Sequence, residues 1–341
     1  MSSNNHWMVT LQELFYPALA KVGIPCKIWS GKYQLFSSAN TITFLVIWKR
    51  SCMLSRSSSD YLMAISVVDN LVLIFIVVLE LSRKYYQREL FWSFEPWRSL
   101  RDVFYGAYNA PTWLVVLFTA ECFFLQFPHT WKIKTKICTQ TCAVWTVVTA
   151  FVVSHLSAVP YFWSNASIQE NNHRSCVYKQ EAPTQFIHTL VWLQTLQAYI
   201  LPFVVILSLN GLTLRLISSR VHSSADVTSG KVRPLLRSRW RKSVLLLVTV
   251  SMSFVMLSIT RATTQIILGT TDMYTWDRDD YELVVNIAAD IGTMLCLSNA
   301  AVNMYLYVCT QPKFRREFLA CIRKFLCFCL SFVKHFSPKM G

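Results

Sequence analysis

Long apolar runs dominate the chain. Runs of about 20 apolar residues, the length that crosses a bilayer as a helix, occur seven times. They predict seven membrane-spanning helices, called spans one to seven, at Ile28–Trp48, Tyr61–Leu81, Asp102–Phe127, Ile137–Trp163, Phe186–Ile217, Ser243–Leu268 and Leu283–Val308. A further segment, Lys313–Phe328, sets Phe and Ile against Arg and Lys at helical spacing. This pattern predicts an amphipathic helix on the membrane surface.

Composition agrees with a membrane protein. Of the 341 residues, 53% are hydrophobic and 15% charged, against about 25% charged in ordinary soluble domains. The mean hydropathy is +0.36. These values argue against a soluble domain and against a disordered chain. The predicted fold class is all-α, a polytopic seven-helix bundle, with an extracellular segment at 1–27, the bundle at 28–310, and an amphipathic helix with a short tail at 311–341.

The net charge of +15 is distributed unevenly. If the N-terminus lies outside, the segments on the inner side are Lys49–Asp60, Pro128–Lys136, Arg215–Lys242 and the tail from Gln311, with Glu121 at the base of span three. Together they carry 21 of the 33 Lys and Arg residues but only 4 of the 18 Asp and Glu residues. The positive-inside rule therefore predicts an outside N-terminus and an inside C-terminus. The basic charge then reflects topology and anionic lipid, and no nucleic-acid partner is expected.

Sequence signatures of other functions are missing. The chain has no His-Glu-x-x-His, no Gly-x-Ser-x-Gly and no phosphate-binding loop, so an enzyme is not expected. It also has no internal repeat and no metal-ligand spacing, which argues against a transporter and a zinc site. Asn165-Ala-Ser167 is a glycosylation sequon in a predicted outer loop.

The 11 cysteines divide by predicted side of the membrane. Only Cys26 and Cys176 lie toward the oxidising outside. They are predicted either to pair or to remain two free thiols. On the inner side, Cys321, Cys327 and Cys329 lie beside basic and aromatic residues, which suits palmitoylation and equally suits plain packing.

Two groups of polar residues fall inside predicted spans, where such residues are costly and usually functional. The first group is Asn40, Asp69, Asn299 and Asn303. These residues could surround one ion, with Na+ as the candidate near Asp69, or a water cluster. The alternative is that each amide bonds a neighbouring backbone separately. No other cofactor is expected.

The second group lies toward the outer halves of the spans. Arg261 in span six has no nearby acid in its own helix, and Asp290 lies in span seven. The two could pair, or Arg261 could hold a ligand carboxylate and Asp290 a ligand amine. Aromatic and polar residues at helical spacing share a face of span three (Tyr105, Asn109, Trp113) and of span five (Trp192, Thr195, Tyr199). Each face suits either helix packing or a ligand pocket.

Several motifs resemble those of rhodopsin-like G-protein-coupled receptors. They are Asn40, Asp69, Pro202 and Asn303-Met-Tyr-Leu-Tyr307, followed by the amphipathic helix. Three stretches, Ser59–Asp69, Ala158–Trp163 and Asp290–Tyr307, are most similar to a small group of orphan receptors proposed to sense aromatic amino acids such as tryptophan and phenylalanine. The resemblance implies a plasma-membrane receptor for an extracellular small molecule or short peptide, coupled to a heterotrimeric G protein of the Gq type.

The resemblance also implies roles for single residues. The pocket arginine of that group matches Arg261, its span-three phenylalanine matches Tyr105, its span-five histidine matches Gln194, and its span-seven asparagine matches Thr293. The residues implied to face the G protein are Glu121, Cys122, Arg239, Arg241, Lys242 and Tyr307.

The activation motifs depart from the family pattern. The usual Asp-Arg-Tyr is Glu121-Cys122-Phe123, and cysteine cannot replace the arginine in pairing or coupling. The usual Cys-Trp-x-Pro of span six is Leu257-Ser258-Ile259-Thr260, so the hinge proline is lost. The alternative prediction is therefore a receptor fold that does not signal, such as a decoy or a dimerising partner.

Overall fold

The computed structural model describes nine stretches of the chain, which are 26–50, 56–73, 109–126, 139–160, 165–170, 173–178, 184–225, 234–271 and 284–336. The described helices are α1 (Cys26–Arg50), α2 (Arg56–Val72), α3 (Asn109–Gln126), α4 (Gln140–Leu156), α5 (Thr184–Thr195), α6 (Leu201–Ala225), α7 (Pro234–Thr270), α8 (Val284–Thr310) and α9 (Pro312–Phe336). Each predicted span contains a helix, and spans one to seven correspond to α1, α2, α3, α4, α5 with α6, α7 and α8.

Three helical stretches are long and apolar enough to cross a membrane: Gln185–Ser219, Val244–Thr270 and Val284–Thr310. Two shorter apolar helices, Asn109–Phe124 and Gln140–Leu156, accompany them. Large apolar side chains point away from the other helices, as in Trp145 and Met256, which are 67% and 65% exposed. Apolar residues exposed on this scale require an apolar solvent. The chain is therefore a helical membrane protein.

Local sequence explains where α4 begins. The Thr139 side chain accepts a hydrogen bond from the Cys142 backbone at 3.2 Å, and α4 begins at Gln140 because this cap satisfies a free N–H group. The helix gives way to turns after Leu156, so α4 is shorter than the predicted span. α9 is longer than predicted and continues to Phe336.

A π-helical turn, Leu196–Ile200, joins α5 to α6. Pro202 follows it and lacks the backbone N–H that a regular helix would use, so the wider turn suits this sequence. By contrast, α7 runs for 37 residues, and its proline, Pro234, is the first residue. Proline fits that position without disturbing the helix.

One element departs from the all-helical prediction. Strands β1 (Asn165–Glu170) and β2 (His173–Tyr178) form an antiparallel hairpin. The sequence predicts a loop here, because few residues of this stretch favour strands. Its register places Ser167 of the glycosylation sequon opposite Cys176.

The main core lies where the described helices meet. Fully buried side chains include Leu62 of α2, Phe118 of α3, Ile206 of α6, Leu247 of α7 and Phe314 of α9. The most extensive helix–helix packing is between α7 and α8. α9 packs against both α8 and α1. This arrangement brings the intramembrane polar residues of α1, α2, α7 and α8 into the interior.

Candidate functional site

The first polar group, which we call the Asp69 cluster, comprises Asn40, Asp69, Asn299 and Asn303. All four side chains are buried. Asn303 Nδ2 of α8 donates a hydrogen bond to Asp69 Oδ2 of α2 at 2.9 Å. Beside this bond, Asn70 Nδ2 donates to Thr41 Oγ1 at 3.2 Å and links α2 to α1. The buried carboxylate thus has a direct partner on another helix.

Several atoms of the Asp69 cluster have no hydrogen-bond partner within the described part of the chain. They are Asn40 Nδ2, Asn299 Oδ1 and Asn303 Oδ1. Asn299 and Asn303 are one helical turn apart, so their amides share a face of α8. Carboxylate and amide oxygens are the donors that a hard cation prefers. The residues therefore fit a bound Na+ or a small group of waters near Asp69.

The second group, which we call the Arg261 cluster, comprises Tyr199, Ser258, Arg261 and Cys296. The guanidinium of Arg261 lies near enough to the Tyr199 hydroxyl for its charge to act on that group. Its NH1 atom is buried and has no hydrogen-bond partner in the described stretches. Cys296 Sγ lies 3.5 Å from Ser258 Oγ. Among the described residues, the cluster thus holds a cation with one buried nitrogen that makes no hydrogen bond.

The backbones of α7 and α8 approach closely at Arg261, and this contact fixes the position of its Cα atom. A Cβ added to Gly292 of α8 would lie 2.8 Å from the Arg261 backbone nitrogen and 2.9 Å from its Cα. Only glycine allows α7 and α8 to approach this closely. The next residue, Thr293, donates its hydroxyl to the Ala289 backbone oxygen at 2.7 Å. Gly292 was not predicted as a site residue. The one feature of the sequence that could have indicated it is that it directly precedes Thr293, a predicted ligand residue.

The other predicted ligand residues occupy α3 and α5. Asn109 is buried at the start of α3, and Trp113, one turn on, has a buried Nε1 with no hydrogen-bond partner in the described stretches. Trp192 Nε1 donates to His188 Nε2 at 3.2 Å, and its ring lies against Gly269 of α7. Gln194 is half-buried.

Two predicted residues cannot be placed against this site. Tyr105 lies outside the described residues, and so does the side chain of Asp290, although its backbone belongs to α8. The pairing of Arg261 with Asp290 therefore stays a prediction, as does the alternative in which each holds part of a ligand.

The end of the bundle where α2 begins and α3 ends carries a third polar group. Ser57 Oγ of α2 donates a hydrogen bond to Glu121 Oε1 of α3, while Glu121 Oε2 is buried without a hydrogen-bond partner in the described stretches. Asp60 is close enough to repel the Glu121 carboxylate. Burial raises the pKa of Asp60, and a hydrogen bond with Gln140 partly offsets this. Glu121 is thus tied to α2 by a hydroxyl.

Three of the six residues predicted to face a G protein are buried, namely Glu121, Cys122 and Tyr307. Cys122 is buried in the main core. Tyr307 is fully buried, and its ring packs on Phe314 of α9 with centroids 5.8 Å apart. The side chains of Arg239, Arg241 and Lys242 lie outside the described residues. Contact between a partner and Cys122 or Tyr307 therefore requires the helices to separate.

The predicted modification sites are described only in part. Cys321 is half-buried against the core and Cys327 is exposed, both with free thiols. The side chain of Cys329 lies outside the described residues, as do those of Cys26, Asn165 and Cys176. Palmitoylation, glycosylation and the disulfide therefore stay predictions. No protein-family model matches the chain.

Proposed function

We propose that the chain is a seven-span receptor of the plasma membrane, with its N-terminus outside and a heterotrimeric G protein as its inner partner. The motifs around Asp69 and Asn303 support this proposal, together with helices in all seven predicted segments. The ligand is a small molecule that carries a carboxylate, and an aromatic amino acid or the end of a short peptide has this chemistry.

The unused hydrogen-bonding capacity of Arg261 carries the ligand proposal. A half-buried guanidinium beside Tyr199, with NH1 lacking a hydrogen-bond partner in the described stretches, has lost water on that side. Leaving a charged donor unpaired in an apolar interior is costly. A ligand carboxylate would remove this cost by accepting two parallel hydrogen bonds from the guanidinium. The indole of Trp113 offers a further donor within the bundle.

A second candidate function is a receptor fold that does not signal. The observation in its favour is Cys122, which is buried in the core at the place where the family has its arginine. Glu121 next to it is held by Ser57, so the inner end is closed without a cation. A chain of this kind would bind a ligand or a second receptor without activating a G protein.

One cellular experiment separates the two functions. A surface-tagged chain, its Cys122→Arg variant and its Arg261→Gln variant are assayed for G-protein activation, with and without phenylalanine and tryptophan. A signalling receptor predicts a response in the unaltered chain and its loss in Arg261→Gln at equal surface level. A response confined to Cys122→Arg would support the non-signalling function. If the unaltered chain and both variants fail to activate a G protein at normal surface levels, this would contradict an aromatic amino acid as the ligand.

A further inference from the structure

One side of helix α9 is fixed against the bundle. Phe314 is fully buried, and its ring packs on Tyr307 of α8 with centroids 5.8 Å apart. Phe318, one turn further on, stacks on Phe314 at 6.0 Å, and Cys321 also packs against the main core. These contacts set the rotation of α9 about its own axis, so the other residues have defined positions on its outer surface.

The outer surface of α9 carries basic side chains around one small residue, Ala320, which is exposed. On a helix the nearest surface neighbours of a residue lie three and four positions away in each direction. For Ala320 these neighbours are Arg316, Glu317, Arg323 and Lys324, and the three basic ones are exposed. We call Ala320 with these three basic residues the Ala320 patch. Its centre is a methyl group, and long cationic side chains surround it.

The positive charge of the Ala320 patch is only partly neutralised by the residues that the structure describes. Glu317 is the only acidic residue of α9. Its Oε1 atom lies 3.4 Å from Arg316 Nη2, but the Arg316 side chain remains 78% exposed, and ion pairs in contact with water contribute little. Arg323 and Lys324 form no ion pair with another described residue. Neighbouring cations repel one another, so a multivalent anion would relieve this repulsion.

The position of α9 along the chain places the Ala320 patch near lipid headgroups. The Gln311 backbone N–H donates to the Tyr307 backbone oxygen at 2.9 Å, so α9 begins directly at the end of span seven. Leu319, the residue before Ala320, is 57% exposed, and an apolar side chain at this place suits contact with acyl chains. Basic residues that directly follow a membrane span attract the headgroups of anionic lipids.

We propose that the Ala320 patch is a binding site for the headgroup of a polyphosphorylated inositol lipid. The guanidinium groups of Arg316 and Arg323 can each bind a phosphate through two parallel hydrogen bonds. The two residues are two turns apart, about 10 Å along the axis, so they can engage phosphates at different positions of one headgroup. The methyl group of Ala320 leaves room for the headgroup between them. This inference goes beyond the proposed function and requires neither the outer ligand nor a G protein.

Lipid titration of the purified full-length protein in detergent tests the site. A fluorescent phosphatidylinositol bisphosphate is the probe, and phosphatidylinositol without ring phosphates is the matched lipid. One basic residue near a charged headgroup changes the dissociation constant about fivefold, so Arg316→Gln and Arg323→Gln should each weaken binding of the bisphosphate by about this factor. Ala320→Leu keeps every charge and fills the centre of the patch, so it should also weaken binding. Phosphatidylinositol should bind weakly to all these proteins.

Arg315→Gln is the matched control, because Arg315 is equally exposed but is not one of the four surface neighbours of Ala320. It should leave the dissociation constant of the bisphosphate unchanged. Equal weakening by Arg315→Gln and Arg316→Gln would mean attraction to basic charge in general and would overturn the site, as would unchanged binding in Ala320→Leu. Displacement of the lipid by an equal concentration of a soluble inositol phosphate would overturn the assignment to a lipid. Each outcome is independent of G-protein activation, which the cellular assay measures separately.

Discussion

The Asp69 cluster and the Arg261 cluster both place a charged residue inside an apolar bundle, but they hold it differently. Asp69 accepts a hydrogen bond from Asn303 on another helix, and amide oxygens beside it suit a cation or water. Arg261 lies beside Tyr199, while its NH1 atom has no hydrogen-bond partner in the described stretches. The difference indicates that the Asp69 cluster ties helices together, whereas the Arg261 cluster keeps binding capacity for a group from outside.

The largest effect is expected from removing the hydrogen-bond donor of the Asp69 cluster. Asn303→Leu leaves the buried Asp69 carboxylate without its partner, and an uncompensated buried charge costs about 3 kcal/mol or more. The thermal midpoint of the purified protein in detergent should fall by several degrees. Asn299→Leu, which removes an oxygen without a hydrogen-bond partner in the described stretches, is the matched control and should lower it less. Equal falls in the thermal midpoint of the two variants would mean that the Asp69–Asn303 hydrogen bond does not stabilise the protein more than Asn299 does.

The next effect concerns the backbone contact that fixes Arg261. Gly292→Ala introduces a Cβ 2.8 Å from backbone atoms that cannot rotate away, and such overpacking costs about 1–3 kcal/mol. Gly211→Ala is the control, because nothing lies within 4 Å of its Cβ. The control should gain about 0.5–1 kcal/mol of stability from the loss of glycine in a helix. Thermal unfolding of both variants measures the two opposite shifts, and a stable Gly292→Ala protein would refute the close crossing.

A smaller and opposite effect is expected from removing the charge of the Arg261 cluster. Arg261→Met takes away a half-buried cation whose NH1 atom has no hydrogen-bond partner among the described residues. Replacing a poorly compensated charge by an apolar side chain is often neutral or stabilising by about 1 kcal/mol. The thermal midpoint should therefore stay or rise, unlike that of Asn303→Leu. A fall as large as that of Asn303→Leu would show that both clusters are structural.

The smallest effect is expected from exchanging the salt. If the oxygens around Asp69 bind Na+, replacing sodium chloride by choline chloride lowers stability by about 0.4 kcal/mol when Na+ is at its dissociation constant. The thermal midpoint of the unaltered protein should then depend on sodium, and that of Asp69→Asn should not. An equal dependence in both proteins would argue for waters in this cluster.

Much of the helical layout could be predicted from the sequence, because apolar runs of membrane length are a local property. The ends of the helices were less predictable. The start of α4 is set by the cap at Thr139, and α9 continues past its predicted end at Phe328 to Phe336. The hairpin at Asn165–Tyr178 was missed because its residues carry little strand preference.

The Asp69 cluster and Arg261 could be found from the sequence, since charged residues inside apolar runs are rare. Ser258 and Cys296 could not. That Gly292 meets Arg261, and that Ser258 meets Cys296, depends on which helix faces come together. Such contacts join residues more than 30 positions apart and leave no periodic signal in the chain.

The most direct test of the account is whether a carboxylate ligand stabilises the protein through Arg261. Purified protein is heated with phenylalanine or with phenethylamine, which lacks the carboxylate, at millimolar concentration. A ligand at 100 times its dissociation constant adds about 2.7 kcal/mol. Phenylalanine should raise the thermal midpoint, phenethylamine should raise it less, and Arg261→Met should abolish the difference. Equal shifts with both compounds, or a difference that survives in Arg261→Met, would contradict it.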